Sequence, residues 1–430
     1  MLSQPRAWAT IFMTTKDRRG FIEMCLERSQ PLDLEVTVDA RDEGRAHQRC
    51  TCEQDTRERL VPNERKPCEW HFQFESLTES GHSKRVRKLN INFLGTYIPG
   101  ERRRFALGSC RFFTLSFPCL VSLGWMEDDT EHGSYIFSIP PFPSTLRSLY
   151  FTGSWDGPVM QVTNLTSFTF ERYDDKINVE TFRLFITNNR SLESLSLKQA
   201  EFEGNSRGPP VSLYNMKSFT IDFHAKNLST IIRIPALQRL SSLLITKDDP
   251  FCSWYRLRAT GDGIVLSTTC DVQNIAEVWQ DLTSYVRPTI HHIRFYDDVY
   301  DHDDDDDDHD GVTLASLLVD VRTVEIGKGY WTSWYNSFVE DLKQTGPQLK
   351  TVRFAISDEH EPFQRDEEYE DWGGLLLDEI EELVRFRFEQ GRPFSVVERM
   401  VVSGSERTNR QEDYVWRCFY GSRRLGQYVR

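Results

Sequence analysis

Leu165-Thr-Ser-Phe168-Thr-Phe170, Leu192-Glu-Ser-Leu195-Ser-Leu197, Met216-Lys-Ser-Phe219-Thr-Ile221 and Leu240-Ser-Ser-Leu243-Leu-Ile245 are copies of one six-residue phrase. Their starts at 165, 192, 216 and 240 lie 27, 24 and 24 residues apart. Upstream the phrase returns as Leu146-Arg-Ser-Leu149-Tyr-Phe151, Leu120-Val-Ser-Leu123-Gly-Trp125 and Val86-Arg-Lys-Leu89-Asn-Ile91, and Pro31 to Val38 alternates in the same way. Downstream it reads Ile290-His-His-Ile293-Arg-Phe295, Val321-Arg-Thr-Val324-Glu-Ile326, Leu349-Lys-Thr-Val352-Arg-Phe354 and, more weakly, Val397-Glu-Arg-Met400-Val-Val402. The closing apolar pair of each phrase alternates with polar residues, the period-two pattern of a strand with one buried face. Helical spacing fills the intervals. Phe182, Phe185 and Ile186 precede Leu192, and Leu314, Leu317 and Leu318 precede Val321. Trp334, Phe338, Val339 and Leu342 precede Leu349, with Gly346-Pro347 as a helix stop.

Helix, short loop and strand in repetition predict an α/β fold of parallel strands joined by helices on one side. The period falls in the ~20–29 residue window of leucine-rich repeats. The expected architecture is therefore an irregular leucine-rich-repeat solenoid, a horseshoe with parallel strands on its concave face and helices on its convex face. One position of the phrase is nearly invariant in size. Ser148, Ser167, Ser194, Ser218, Ser242, His292, Thr323 and Thr351 stand just before the second apolar residue, and a parallel stack sets them side by side as a hydroxyl ladder. Phrases are missing over 246–289 and 355–396. Each gap holds either a degenerate repeat, with Ile264-Val-Leu266 as candidate in the first, or an insertion. A last helix over about 374–389, with Leu376, Ile380, Leu383, Val384 and Phe388 on one face, is placed to close the core.

The chain has 430 residues and a formal charge of −14, which opposes a general nucleic-acid or anionic-membrane binder. No run of ~18 apolar residues and no apolar signal core is present, so no membrane segment is expected. The nine cysteines are scattered without a framework, as in reduced thiols of the cytoplasm or nucleus. The sequons at Asn164, Asn189 and Asn227 then read as chance matches.

Three segments together resemble the F-box-type leucine-rich-repeat proteins abundant in mushroom-forming fungi. Leu2-Ser-Gln-Pro-Arg-Ala-Trp8-Ala-Thr-Ile11 resembles the closing segment of an F-box, and Cys25 to Leu34 resembles the strand entry that opens the repeats of such proteins. The irregular phrases match onward to about residue 402. The resemblance implies three parts: 1–29 as the end of an F-box and a connecting helix, 30–402 as the solenoid with an acidic loop at 301–310, and 403–430 as a C-terminal tail. It also implies a substrate-recognition subunit of an SCF-type ubiquitin ligase, or a truncated relative. The adaptor-docking helices of an F-box are not among these residues, because Met1 falls inside its last part. Binding of a Skp-type adaptor is thus expected only with a longer N-terminus.

His47, Cys50, Cys52, Cys68 and His71 cluster in a polar stretch, but Cys50-x-Cys52 is one residue short of a zinc knuckle. Within the acidic run Asp301 to Asp310, Asp306, Asp308, Asp310 and Gly311 fit the first half of an EF-hand loop, yet Leu317 stands where the bidentate glutamate belongs. Both read as solvated loops, so no metal and no cofactor is expected. The tail from Tyr414 combines arginines and aromatics, a composition able to stack on single-stranded RNA, but in an acidic chain packing on the last repeat or trailing free is favoured. No nucleophile elbow, phosphate loop or zinc-protease motif occurs, and no enzyme is expected. The alternatives are a secreted-type β-helix carbohydrate enzyme and an adaptor-free structural or sensor repeat protein. The predicted function is protein binding by a monomer on the concave strands. His292, Arg294, Tyr296 and Arg353 are the candidate contacts, because arginine and aromatic residues dominate binding hot spots.

Overall fold

The computed structural model describes residues 4–14, 19–39, 77, 81–92, 117–126, 142–152, 161–171, 176–222, 228–247, 254–271, 275–283, 285–286, 288–296, 320–326, 340–344, 348–357, 382–402 and 417–420. The chain is mixed α/β, with mostly parallel sheet and few helices, and divides into two compact units. The first is Met1–Ile221 with Thr230–Ile234, and the second is Asp222–Ser229 with Pro235–Arg430.

In the first unit the phrases become β1 (Thr10–Thr14), β2 (Leu34–Asp39), β3 (Val86–Asn92), β4 (Ser122–Met126), β5 (Ser148–Thr152) and β6 (Ser167–Glu171). The short β7 (Lys176–Asn178) follows, then β8 (Ser194–Lys198), the short β9 (Glu201–Glu203) and β10 (Val211–Ser212), and β11 (Ser218–Asp222). The order β1-β2-β3-β4-β5-β6-β8-β11 is parallel throughout. Two small parallel pairs, β7 with β9 and β10 with β12 (Ile232–Arg233), lie beside it. Alternation makes one face of each strand the core. Leu149, Phe168, Leu195 and Phe219 share one buried row, and Phe151, Phe170, Leu197 and Ile221 the next. Removing each such side chain from water contributes about 1.5–3 kcal/mol.

Helix α1 (Arg19–Arg28) lies between β1 and β2, and α2 (Val179–Asn188) lies between β7 and β8. Asn178 caps α2 by accepting from the backbone N–H groups of Glu180 and Thr181. Phe182, Phe185 and Ile186 are fully buried, as their helical spacing predicts, and Phe185 meets Phe168 of β6 at a centroid distance of 4.6 Å. The 1–29 segment, expected to hold an F-box end and a connecting helix, contains a 3-10 turn (Pro5–Trp8), β1 and α1. The sheet therefore begins one strand earlier than residue 30.

The hydroxyl ladder forms in the predicted register. Ser122, Ser148, Ser167, Ser194 and Ser218 are successive partners across β4, β5, β6, β8 and β11. A repeated main-chain contact sets that register. The carbonyl of Val121 accepts N–H bonds from both Arg147 and Ser148, that of Arg147 from Thr166 and Ser167, and that of Thr166 from Glu193 and Ser194. Each carbonyl just before a ladder position thus anchors the next phrase at the same place.

In the second unit the strands are β13 (Leu240–Lys247), β14 (Trp254–Gly261), β15 (Ile264–Asp271), β16 (His292–Tyr296), β17 (Thr323–Ile326), β18 (Thr351–Ser357), β19 (Val396–Val402) and β20 (Arg417–Tyr420). Their order is β15-β14-β13-β16-β17-β18-β19-β20. The run β13-β16-β17-β18-β19 is parallel, and β14, β15 and β20 are antiparallel to their neighbours. The gap at 246–289 is thus an insertion. Ile264-Val-Leu266 opens β15, the far strand of an antiparallel excursion, and α3 (Ile275–Thr283) returns the chain toward β16. The tail adds β20 to the edge of β19. Of the closing helix, residues 382–389 are helical, with Leu383 and Val384 buried. Leu314, Leu317, Leu318, Trp334, Phe338, Val339, Leu376 and Ile380 lie outside the described residues, as do the 40–76 cluster and the acidic run 301–310.

A half-buried arginine in the first unit and a buried one in the second tie helix ends to loops. Arg85 donates to the carbonyls of Leu26 and Leu32, to Ser29 Oγ, and to His82 Nδ1 at 2.9 Å. Arg387 is fully buried and donates to the carbonyls of Leu342 and Leu349. Burial, with the nearby Arg392 charge second, brings its guanidinium down to about 10, still protonated at neutral pH. Because Arg85 donates to Nδ1 of His82, that nitrogen carries no proton. Burial first, and the Arg85 charge second, hold the His82 imidazole below its ordinary value of 6.5 against the opposing Glu27 carboxylate. The unfolded chain then takes up the proton before the folded one does, so stability is intact above about pH 6.5 and falls as pH drops toward the lowered folded value. The urea midpoint of wild type is expected to fall between about pH 7.5 and about pH 5.5 by more than that of His82→Gln, which keeps an acceptor for Arg85 and cannot titrate. Equal falls would remove His82 as the cause.

Candidate partner-binding face

The candidate contacts lie on the second unit, on the side of the sheet turned away from its core. Directly paired residues of neighbouring strands project to one side. Ser242, His292, Thr323 and Thr351 form one lateral row, the continuation of the hydroxyl position. Leu244, Arg294, Glu325 and Arg353 form the next. Tyr296 holds the position opposite Thr246 at the end of β16, and its side chain lies outside the described residues. The fold thus brings His292, Arg294 and Arg353 onto one face within two rows, and aligns Tyr296 with them at backbone level.

Their neighbour Glu325 organises the group. It is only 2% exposed, and its Oε2 lies 3.3 Å from His292 Nε2 and 3.6 Å from Arg294 Nε. Arg353 takes the register position on its other side. Burying a carboxylate costs several kcal/mol unless cations and donors engage it, and the strand register supplies them. Arg294 nevertheless keeps a side-chain exposure of 47%. The carboxylate fixes the base of the cluster while the Arg294 side chain reaches solvent. Glu325 was absent from the sequence-derived candidates. Aligning the phrases by position exposes it, since it occupies the same place as Arg294 and Arg353 in the phrase between them.

The insertion enlarges the face. Arg258 pairs with Leu244 and Arg256 with Thr246, which puts both exposed arginines beside the same rows. In β14 they alternate with buried Tyr255, Leu257 and Ala259. The lateral order is therefore Arg258, Leu244, Arg294, Glu325, Arg353, followed by Glu398 at the next register position.

The outer face of the first unit differs in charge. Its ladder is uncharged from Ser122 to Ser218, and Glu35 with Lys88 and Glu171 with Lys198 form ion pairs. Tyr150 donates its hydroxyl to Glu171 Oε2 at 2.9 Å. Among the described residues no group of three His, Cys, Asp or Glu side chains is arranged to hold a metal ion, and no helix is long and apolar enough to cross a membrane.

No family model matches the chain, and no curated protein is significantly similar to it.

Proposed function

We propose that the chain is an irregular leucine-rich-repeat solenoid, a horseshoe with parallel strands inside and helices outside, that captures another protein on its outward-facing strands. In this reading it serves in the cytoplasm or nucleus as a substrate-recognition subunit of an SCF-type ubiquitin ligase, or as a relative of one. The observation that carries the scaffold is the register: successive phrases pair in parallel with their small hydroxyls aligned, leaving a continuous strand surface above a closed core. The helices α1 and α2 between strands support a repeat scaffold over the β-helix enzyme. The His292, Arg294, Glu325 and Arg353 cluster supports capture, because arginines held in fixed positions lose little freedom on binding.

The test expresses the tagged chain in its source cells from its own locus, with whatever reading frame precedes Met1, beside a variant carrying Arg294→Glu and Arg353→Glu. Co-purification of a Skp-type adaptor with both, and loss of a defined set of captured proteins from the variant alone, is the expected result. Absence of the adaptor from both would end the ligase role, and identical captured sets would end the role of this face.

A further inference from the structure

The second unit's outer face is cationic on a chain of formal charge −14. Arg256, Arg258, Arg294 and Arg353 project to one side of β14, β16 and β18, beside His292. Within these rows Glu325 is buried, with its Oε2 near His292 Nε2 and Arg294 Nε. Glu398 follows at the margin. Among the described residues of these rows the arginines therefore exceed the acids, in a chain of net negative charge.

We propose that this face binds an acidic, extended segment of a partner protein. The inference rests on the protein-capture reading and names the class of partner. Charge complementarity selects it, since an acidic strand gains at each arginine while a basic or apolar segment does not. The strand geometry also sets a spacing. Arg258 and Arg294 are separated by β13, and Arg294 and Arg353 by β17, so each pair is two strand spacings or about 10 Å apart. A peptide crossing the strands in polyproline II form advances about 3.1 Å per residue with three residues per turn, so acids at every third position face the sheet together and meet successive arginines. Leu244, half-buried between Arg258 and Arg294, offers an apolar step to the residues between.

The experiment titrates the purified full chain into a fluorescent ten-residue peptide with glutamate at every third position, and into its glutamine counterpart, reading anisotropy at about 0.15 M salt. The acidic peptide is expected to bind at least about tenfold tighter than the glutamine peptide, and the preference should shrink at higher salt. Arg258→Glu alone, and Arg258→Glu with Arg294→Glu, should each weaken the acidic peptide, the double variant by about tenfold or more. Arg190→Glu, an exposed charge reversal in the first unit, should leave binding unchanged. Circular dichroism and thermal midpoints check each variant. Should Arg294→Glu prevent folding, Arg258→Glu, which leaves the Glu325 cluster intact, carries the decision. Equal binding of the two peptides, or an unchanged affinity of folded Arg258→Glu, overturns the proposal. Tighter binding of a single-stranded RNA of similar charge than of the acidic peptide does so too. If the peptide fails while the Arg294→Glu, Arg353→Glu chain still loses its captured proteins in cells, the acidic class is wrong and protein capture stands.

Discussion

Gly261→Ala is expected to unfold the second unit at a markedly lower denaturant concentration, by about 3 kcal/mol or more, because the added atom has no space to enter. A Cβ at this position would lie 1.9 Å from the Arg239 carbonyl oxygen, 2.6 Å from its carbon and 2.7 Å from Leu240 Cα. All three are backbone atoms, so no side-chain rotation relieves the overlap. The contact belongs to the hairpin itself. Gly261 pairs with Leu240 where the register of β13 shifts between Leu240 and Ser242, and the chain turns through Asp262-Gly263 into β15 immediately afterwards. Gly263 has φ 68°, but nothing approaches its missing Cβ closer than 3.9 Å, so Gly263→Ala should cost only about 1 kcal/mol from backbone conformation. The urea midpoint of the second unit, followed through tryptophan fluorescence, separates the two. Equal losses would mean that conformation and not space governs the hairpin. Since β14 carries Arg256 and Arg258, the glycine that admits this strand also sets up the cationic face.

How far the fold was legible depended on what repeated. The small hydroxyls at Ser148, Ser167, Ser194 and Ser218 recur at one place in the phrase, and a parallel stack converts that recurrence directly into register. The helix around Phe182 was legible because Phe182, Phe185 and Ile186 are three and four apart and all buried. The hairpin was not, since β14 and β15 alternate with the same period of two as the phrases, and periodicity does not carry strand direction. The candidate site was half legible for a related reason. Arg294 and Arg353 stand out as isolated arginines, whereas the acid between them in space was found only once register placed Glu325 against Arg294. Arg258 entered through the insertion, whose pairing partners the repeat pattern could not supply.

Asn189→Ala should destabilise the first unit by about 3 kcal/mol, since three buried backbone groups lose their partner and each such orphan costs about 1–3 kcal/mol before relaxation. Asn189 is fully buried at the end of α2. Its Oδ1 accepts from the Leu165 N–H, and its Nδ2 donates to the carbonyls of Val162 and Phe185, all at 2.9 Å. One amide thus joins the last turn of α2 to the loop that enters β6. The sequon it heads is inaccessible in the fold, because Nδ2 is engaged twice and has no exposure. Asn189→Asp distinguishes this hydrogen-bond role from simple packing. The aspartate fits the same volume and still accepts from Leu165, but it faces two carbonyls with no donor and adds a buried charge. It is expected to cost at least as much as alanine at neutral pH. It should recover part of that loss on acidification toward about pH 4, where protonation restores one donor. If chemical denaturation finds Asn189→Asp as stable as wild type at neutral pH, the two carbonyl contacts contribute nothing to holding α2 against the entry to β6.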